Sequence, residues 1–174
     1  MRREQLEHLV RAAGAITGDD ELIVIGSQAI LGSVPSGLPP EATRSIEADI
    51  VPMNDPDERK ADLIDGSIGE ASLFEETHGI YAQGVSLATA ILPEGWRDRL
   101  VPLHNENTGG VTAWCLEPHD LVASKLAAGR PKDVEFARAL LAAGIVDRDL
   151  LTARLDRLDA PANIRERAKA LIDR

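Results

Sequence analysis

Apolar residues fall at two different spacings along the first part of the chain. They recur at helical intervals within residues 3–14, and Gly14 supplies a helix-end signal. A short continuous apolar run, Leu-Ile-Val-Ile, then occupies residues 22–25, which is typical of a buried strand. The pattern therefore predicts a helix over residues 3–14, a strand over residues 21–25, and the opening turn of a helix over residues 28–31.

Strict alternation marks a second strand over residues 45–51. Ile46, Ala48 and Ile50 alternate there with mainly polar residues, among them Glu47 and Asp49. Because successive side chains of a strand point to opposite faces, one face of this strand is largely polar. Three prolines within residues 35–40 exclude regular structure, so that segment is predicted to be a surface loop close to the polar face.

The rest of the chain reads as one helix, several strands and then helices only. We predict a helix over 57–69, strands over 80–85, 89–92, 100–103 and 111–116 (the last two a hairpin around 107–110), and helices over 119–127, 131–143, 147–157 and 162–173. This order predicts an α/β (α+β) fold, a mixed sheet flanked by helices. We expect a core over residues 1–116 and a helical C-terminal extension over residues 117–174 packed on it.

Composition and charge narrow the function classes. A length of 174 residues with 44% hydrophobic residues suits one compact domain. The net charge of −10 argues against duplex DNA as a partner, although a local basic patch for one RNA stays open. A single cysteine, Cys115, excludes an intramolecular disulfide and a cysteine-cluster zinc site, and we interpret it as a buried small hydrophobe. No segment has the length and apolarity of a membrane span, so we expect a soluble, cytoplasmic protein.

Gly26 and Ser27 stand between the first predicted strand and the next predicted helix. Backbone N–H groups in such a turn can bind an anion, and the serine hydroxyl adds a donor, so the pair is a candidate phosphate cradle. The alternative is an ordinary strand-to-helix turn in which Ser27 caps the helix. Both interpretations stay open at this point.

Glu47 and Asp49 share one face of their predicted strand. Two neighbouring carboxylates repel each other, and a divalent cation between them reverses the sign of that interaction. Hard oxygen ligands of this kind suit Mg²⁺ bound together with substrate phosphates. The alternative is an exposed edge strand whose charges face water.

The two motifs together resemble the nucleotidyltransferase superfamily with its polymerase-beta-like fold. They read IVIGSQAILGS over residues 23–33 and RSIEADIVP over residues 44–52. The resemblance implies that Gly26 and Ser27 hold the triphosphate of an NTP and that Glu47 and Asp49 bind the catalytic Mg²⁺. The chain departs from the commonest pattern in having glutamate at the first acidic position and a long, proline-containing connection. Arg44 is a candidate triphosphate contact or, equally, an ordinary surface arginine.

A second block, LEPHDLVASKLAAGRPKDVEFARALL over residues 116–141, resembles the AbiEii-type branch of that superfamily. The shared features are an Asp-Leu-x-x-x-Lys helix and a following Arg-x-Lys-Asp. The resemblance implies that Lys125 contacts nucleotide phosphates and that Asp133 is a site carboxylate or orients the lysine. Lys125 has no partner at ideal helical spacing, a role that a phosphate would fill. The alternative is a pair of solvated helices with Arg130, Lys132, Asp133 and Glu135 as surface charges.

The third carboxylate of the superfamily is missing from its expected place. It normally stands on a neighbouring strand and helps to activate the acceptor hydroxyl. In the predicted strand 80–85 the side chain that could reach the site is Gln83, and an amide cannot act as a base. Either Asp133 or Glu117 supplies the third acid, or the catalyst is weakened. For His119, two residues after Glu117, we favour a structural role over a role as a metal ligand.

The resemblance implies an Mg²⁺-dependent enzyme that transfers a nucleoside monophosphate from an NTP to an RNA or protein acceptor. It also implies that the protein is the toxin of a toxin–antitoxin pair and has an antitoxin as its partner. Two alternatives stay open: a nucleotidyltransferase-fold binding or regulatory protein without turnover, and a small-molecule nucleotidyltransferase, for which the acidic chain suits a cationic acceptor.

Overall fold

A five-stranded mixed sheet organises the chain in the computed structural model, which describes residues 1–172. Its strands β1 to β5 are Glu21–Ile25, Glu47–Pro52, Tyr81–Gly84, Val101–Leu103 and Thr112–Cys115. Their order in the sheet is β3-β2-β1-β5-β4. Strand β1 runs antiparallel to β2 and parallel to β5, β2 runs parallel to β3, and β4 pairs with β5 in an antiparallel hairpin. The predicted mixed sheet flanked by helices is confirmed.

Helices and short 3₁₀ turns connect and flank the strands. Helices α1 to α9 are Arg3–Thr17, Ile30–Ser33, Pro40–Thr43, Arg59–Ile68, Leu73–His78, Pro118–Ala128, Pro131–Ala142, Arg148–Asp156 and Ala162–Ala170. The 3₁₀ turns are Ser27–Ala29, Leu87–Thr89, Trp96–Arg99 and Glu106–Thr108. Residue 173, at the end of the last predicted helix, lies outside the described residues. No helix within residues 1–172 combines the length and the apolarity that crossing a membrane requires.

The position of β1 explains its apolar sequence. Strand β1 lies between β2 and β5, and its residues 22–25 are all buried. A central strand covered on both faces reads as a continuous apolar run rather than as an alternating one. The neighbouring β2 does alternate at its start, since Ala48 and Ile50 are fully buried while Glu47 and Asp49 are partly exposed. Its polar face therefore stays accessible beside the end of β1.

One sequence prediction about the middle of the chain is wrong, and one helix there was not predicted. Residues 89–92 do not form a strand, because the chain leaves the sheet after β3 through the 3₁₀ turn Leu87–Thr89. It then contacts the segment after α8, where the Asp159 N–H donates to the Leu92 carbonyl at 3.1 Å. Helix α5 was not predicted, although its cap is visible in the sequence: the Ser72 hydroxyl accepts from the Glu75 N–H at 3.2 Å.

The C-terminal helices share one apolar core with the sheet. Leu121 and Leu126 of α6 and Phe136 and Leu140 of α7 are buried in the same cluster as the β1 side chains. The packing places α7 against α3, which precedes β2, and α6 against the 3₁₀ turn after β1. The division into a core over residues 1–116 and an extension over residues 117–174 stays a prediction, and residues 173–174 lie outside the described part.

Candidate functional site

Gly26 brings the end of β1 against the carboxylate of Asp49. Strands β1 and β2 pair with Ile25 opposite Asp49, so the residue after Ile25 has to pass directly by that side chain. A Cβ atom at position 26 would overlap Asp49 Oδ2. The backbone at Gly26 also has φ 68° and ψ −174°, a region open essentially to glycine alone. Both the conformation and the contact therefore require glycine here.

Ser27 is the first residue of the 3₁₀ turn that follows, and its hydroxyl does not stabilise that turn. It caps neither that turn nor α2, and it makes no hydrogen bond to another residue within the described chain. The interpretation of Ser27 as a helix cap is therefore wrong. The next residue, Gln28, is fully buried and donates to the Ala42 carbonyl at 3.2 Å. That bond ties the turn to α3 and leaves Ser27 facing the adjacent cleft.

Glu47 and Asp49 lie side by side on the accessible face of β2. Burial, reinforced by a hydrogen bond and by charge repulsion from Glu47, raises the pKa of Asp49 to about 7. The Tyr81 hydroxyl on the neighbouring β3 donates to Glu47 Oε2 at 3.2 Å. Burial and the Glu47 charge raise the pKa of Tyr81 to about 12, so this hydroxyl stays protonated and keeps its donor role. Two carboxyl groups thus share a site that disfavours their joint ionisation.

Asp133 holds two cations at the opposite wall. Its side chain is only 1% exposed, and Oδ2 accepts from Arg130 Nε at 2.6 Å. Lys125 Nζ lies 3.4 Å from Oδ1 of the same carboxylate, and the Lys125 side chain is 11% exposed. The pKa of Lys125 is lowered, because the effect of burial outweighs that of the Asp133 and Asp49 charges, which raise it. Lys125 and Arg130 both act electrostatically on Asp49, so the two walls face each other.

This arrangement corrects two statements made from the sequence. Lys125 does have a protein partner, because Asp133 reaches it from the next helix rather than from the same one. Asp133 is a buried carboxylate rather than a solvated surface charge. Arg130 and Lys132 are exposed, as the surface alternative expects, and they also line the cleft.

A single cleft of about 650 Å³ contains every residue predicted for the site. This volume lies in the usual range of small-molecule sites. The predicted residues on its walls are Gly26, Ser27, Arg44, Glu47, Asp49, Gln83, Lys125 and Asp133. Sequence reasoning missed other polar lining residues, namely Glu41, Ser45, Thr89, Ser124, Arg130 and Lys132. The loop predicted over residues 35–40 ends earlier than expected, because Pro40 begins α3. Residues 35–38, expected close to this site, instead line a separate depression with the start of α1.

Arg44 and Gln83 occupy two sides of the cleft. Arg44 pairs with Glu135 of α7 at 2.6 Å, and both side chains are more than half exposed. Such an exposed pair is worth about 0–1 kcal/mol and is easily exchanged for another anion. Gln83 stands opposite Asp49 in the parallel pairing of β2 and β3. Its side chain makes no hydrogen bond to any residue within the described part of the chain.

The two candidates for a third acid separate clearly. Asp133 lines the cleft and is engaged by two cations, whereas Glu117 caps α6 by accepting from the N–H groups of His119 and Asp120. Glu117 also contacts His119 Nδ1 at 2.6 Å, and His119 Nε2 accepts from the Asp147 N–H at 2.9 Å. These contacts give Glu117 and His119 a structural role that joins α6 to α8.

The donor set can be tested against Mg²⁺. Within residues 1–172 there is no cluster of three or more His, Cys, Asp or Glu side chains able to hold a metal by themselves. The two carboxylates of Glu47 and Asp49 nevertheless fit Mg²⁺, which commonly takes one or two carboxylates and completes its coordination with water and substrate phosphates. Cys115 plays no part, since burial raises the pKa of its thiol to about 12 and it packs inside the core.

Some of the missed residues left a signal in the sequence and others did not. Arg130 and Asp133 stand three residues apart at the start of α7, which is the spacing of a neighbouring pair on a helix. That signal could have identified Arg130. Tyr81 meets Glu47 only through the register of β3 against β2, and the sequence does not contain that register.

Comparison with known proteins agrees with this geometry. The family model described as "Nucleotidyltransferase of unknown function (DUF6036)" matches residues 4–171, a span that includes the whole sheet and all walls of the cleft. No curated protein and no solved structure matches the chain. The match covers nearly the full sequence, and the chain therefore belongs to this nucleotidyltransferase family.

Proposed function

We propose that this protein is an Mg²⁺-dependent nucleotidyltransferase that moves a nucleoside monophosphate from an NTP to an acceptor and releases pyrophosphate. The observation that carries the proposal is the contact of the Gly26 backbone with the Asp49 carboxylate. This contact places a glycine-serine turn and a carboxylate pair in one cleft, opposite the cations of Lys125 and Arg130. Family membership supports the general reaction class.

Glu47 and Asp49 are the residues that would hold the metal. When bound, Mg²⁺ supplies Lewis-acid stabilisation of the negative charge on the phosphates. The Tyr81 hydroxyl fixes the orientation of Glu47 through its hydrogen bond. The raised pKa of Asp49 shows the electrostatic cost of placing the two carboxylates together, and a cation at this position removes that cost.

The remaining polar groups of the cleft suit a triphosphate. The turn at Gly26 and Ser27 offers backbone and hydroxyl donors on the side of β1. Lys125 and Arg130 neutralise the triphosphate and the leaving pyrophosphate from the side of α6 and α7, and Asp133 keeps both cations in place. Arg44 joins them once a phosphate replaces Glu135 as its partner.

The AbiEii-type resemblance supports a more specific version of the proposal. In that version the acceptor is an RNA or a protein, and the protein is the toxin of a toxin–antitoxin pair that acts in the cytoplasm together with an antitoxin. The net charge of −10 disfavours duplex DNA as the acceptor. It also gives some support to a small-molecule nucleotidyltransferase with a cationic acceptor.

A second candidate function is nucleotide binding without turnover. Gln83 favours it, because an amide stands where the superfamily places a third carboxylate. This version keeps the cleft, the carboxylate pair and the cations, and it omits transfer. The two candidates differ in one observable, the appearance of a nucleotidylated product.

Transfer of label from the α-phosphate tests the proposal. The protein is incubated with Mg²⁺, each α-³²P-labelled NTP and a cell extract as the source of acceptor, with γ-³²P-labelled NTP in parallel. We expect label from the α position only, and a loss of about 1,000-fold in Asp49→Asn, comparable to removing one group that stabilises transition-state charge. Nuclease and protease treatment then sorts RNA, protein and small-molecule products.

The matched control is Asp57→Asn, since Asp57 is an exposed aspartate paired with Arg59 away from the cleft. It is expected to behave as the unchanged protein. NTP binding that depends on Mg²⁺ and Asp49, without transfer, supports the second candidate. The absence of both binding and transfer refutes nucleotide chemistry at this cleft.

A further inference from the structure

Gln83 changes what the acceptor side of the cleft is able to do. It stands beside Asp49 in the register of β2 and β3, and its amide lines the cleft without a hydrogen-bond partner within residues 1–172. An amide cannot take a proton from an acceptor, whereas its NH₂ group donates hydrogen bonds to an oxygen. The position therefore favours a nucleophile that arrives without a proton.

The carboxylates that line the cleft are committed elsewhere. Under the proposed function Glu47 and Asp49 hold the metal, and Asp133 is paired with Lys125 and Arg130. Glu41 lies on α3, which packs against α7 and the turn after β1, on a different wall from β3. An acceptor hydroxyl holds its proton about as tightly as water does. Within residues 1–172, the carboxylate beside Gln83 is that of Asp49, which the metal occupies under the proposed function, so it is not free to receive that proton.

A phosphate monoester does not have this requirement. Its second pKa is about 6, so its oxygens are already anionic near neutral pH. A carboxylate at position 83 would repel such a group, whereas the Gln83 amide can donate to it. An amide in place of the third acid is therefore unfavourable for a hydroxyl acceptor, which needs a base, and favourable for a phosphate acceptor, which does not.

A second groove adjoins the cleft at the segment that follows β3. It has a volume of about 860 Å³ and shares Ala90 and Ile91 with the cleft, and both residues belong to the segment that follows β3. Its arginines, Arg97, Arg157 and Arg165, form no ion pair with a carboxylate within residues 1–172. Arginine is the side chain that binds phosphate through two parallel hydrogen bonds.

Within residues 1–172, the carboxylates of this groove form no ion pair with its arginines. Its carboxylates are Glu94, Asp156 and Asp159, and Asp156 is engaged by Lys169 at 2.9 Å. The Arg97 guanidinium lies 4.6 Å from the centre of the Trp96 ring. Within residues 1–172 the groove thus offers guanidinium groups without a carboxylate partner and an aromatic surface, and it meets the cleft at Ala90 and Ile91.

We infer that the acceptor is a phosphate monoester, bound in this groove with its phosphate beside Gln83; the inference rests on the proposed function. An anionic phosphate oxygen of the acceptor attacks the α-phosphorus of the NTP and forms a new P–O bond. The bond between the α-phosphorus and the bridging oxygen breaks, and pyrophosphate leaves with that electron pair. The product contains a new pyrophosphate linkage, and no proton has to leave the nucleophile.

Removal of phosphate from the acceptor tests this without knowledge of its identity. One portion of the cell extract is passed over immobilised alkaline phosphatase and another over blank beads, and each then receives the protein, Mg²⁺ and α-³²P-labelled NTP. We expect at least about a tenfold loss of acceptor capacity after the phosphatase, because a hydroxyl would then replace the reactive oxygen. The labelled product should resist alkaline phosphatase and be cleaved by a nucleotide pyrophosphatase.

Defined probes separate the two sources of such a phosphate. Glucose 1-phosphate is compared with glucose, and a 5′-phosphorylated RNA trinucleotide with a blocked 3′ end is compared with its 5′-hydroxyl form. Labelling of the phosphorylated member in one pair identifies a sugar phosphate or an RNA 5′ end as the source. Labelling of glucose or of the 5′-hydroxyl RNA overturns the inference.

Two variants connect the result to the residues. Gln83→Glu should lower transfer to the phosphate acceptor by at least about tenfold, through repulsion between like charges. Arg165→Gln should raise KM for the acceptor with little change in kcat, whereas Arg59→Gln, an exposed arginine of α4, should change neither.

The outcomes distinguish the inference from the function beneath it. Transfer that survives phosphatase treatment, or that increases in Gln83→Glu, overturns the phosphate acceptor and leaves nucleotidyl transfer standing. Absence of labelled product in the untreated extract, in wild type and variants alike, removes the transfer function and the inference with it.

Discussion

Replacing Asp49 with asparagine should stabilise the metal-free protein at alkaline pH while it destroys the proposed metal site. The pKa of Asp49 is raised from 3.8 to about 7, chiefly by burial and then by Glu47. Below pH 3.8 the carboxyl is protonated in both the folded and the unfolded state, so it has no effect on stability. Between pH 3.8 and about 7 the unfolded state ionises first, and the free energy of unfolding falls as pH rises. Above pH 7 the penalty is complete.

The interval between the two pKa values sets the size of this penalty. It corresponds to about 4 kcal/mol of lost stability above pH 7, as an upper figure for a partly exposed group coupled to Glu47. Asparagine has nearly the same shape and no charge, so Asp49→Asn avoids the penalty. We therefore expect a gain of about 1–4 kcal/mol at pH 8 and almost none at pH 4.

Urea unfolding at pH 4, 6 and 8 without divalent metal measures the effect, with Asp57→Asn as the matched control. A second series with Mg²⁺ should stabilise the unchanged protein at pH 8 and leave Asp49→Asn unaffected, because only a carboxylate pair binds the ion there. A variant that is less stable than wild type at pH 8, or a difference that does not grow with pH, would refute the electrostatic account of this pair.

Three further predictions follow from the same site. Gly26→Ala should lower the transfer rate by at least about 100-fold, since its Cβ would displace the Asp49 carboxylate. The control is Gly37→Ala, at a positive-φ glycine with open space around it, which should keep the wild-type rate. Equal losses of rate in both variants would contradict the clash. Asp133→Asn should reduce the free energy of unfolding by about 1–3 kcal/mol, because a buried carboxylate with two cationic partners loses its charge. An unchanged urea concentration at the midpoint of unfolding would contradict this. Lys125→Gln should weaken NTP binding by about tenfold in a fluorescence titration with an NTP analogue, and unchanged affinity would exclude its contact with the phosphates.

The first half of the site could be predicted because its signals are local. Strand β1 is a continuous apolar run, β2 alternates, and Gly26-Ser27 joins β1 to a turn, so each feature lies within a few neighbouring residues. The pairing of Ile25 with Asp49 then places the turn against the carboxylates, and this register is an observation of the structure that the two local signals do not contain.

The rest depended on contacts between distant segments. Lys125 acquires Asp133 only when α6 and α7 pack together, and Tyr81 reaches Glu47 only in the register of β3 with β2. The wrong strand over residues 89–92 has the same origin, because its apolar residues pack near the segment after α8 instead of joining the sheet. A short apolar run states that a segment is buried, and it does not state which neighbour buries it.

A crystal structure with Mn²⁺ and an α,β-methylene NTP analogue tests the central claim most directly. Mn²⁺ takes the place of Mg²⁺ and is located by its anomalous scattering. The account predicts one peak at about 2.0–2.3 Å from carboxylate oxygens of both Glu47 and Asp49, with the triphosphate on the Gly26–Ser27 turn and Lys125 beside it. A metal peak away from these carboxylates, or a triphosphate bound outside the cleft, would contradict the account.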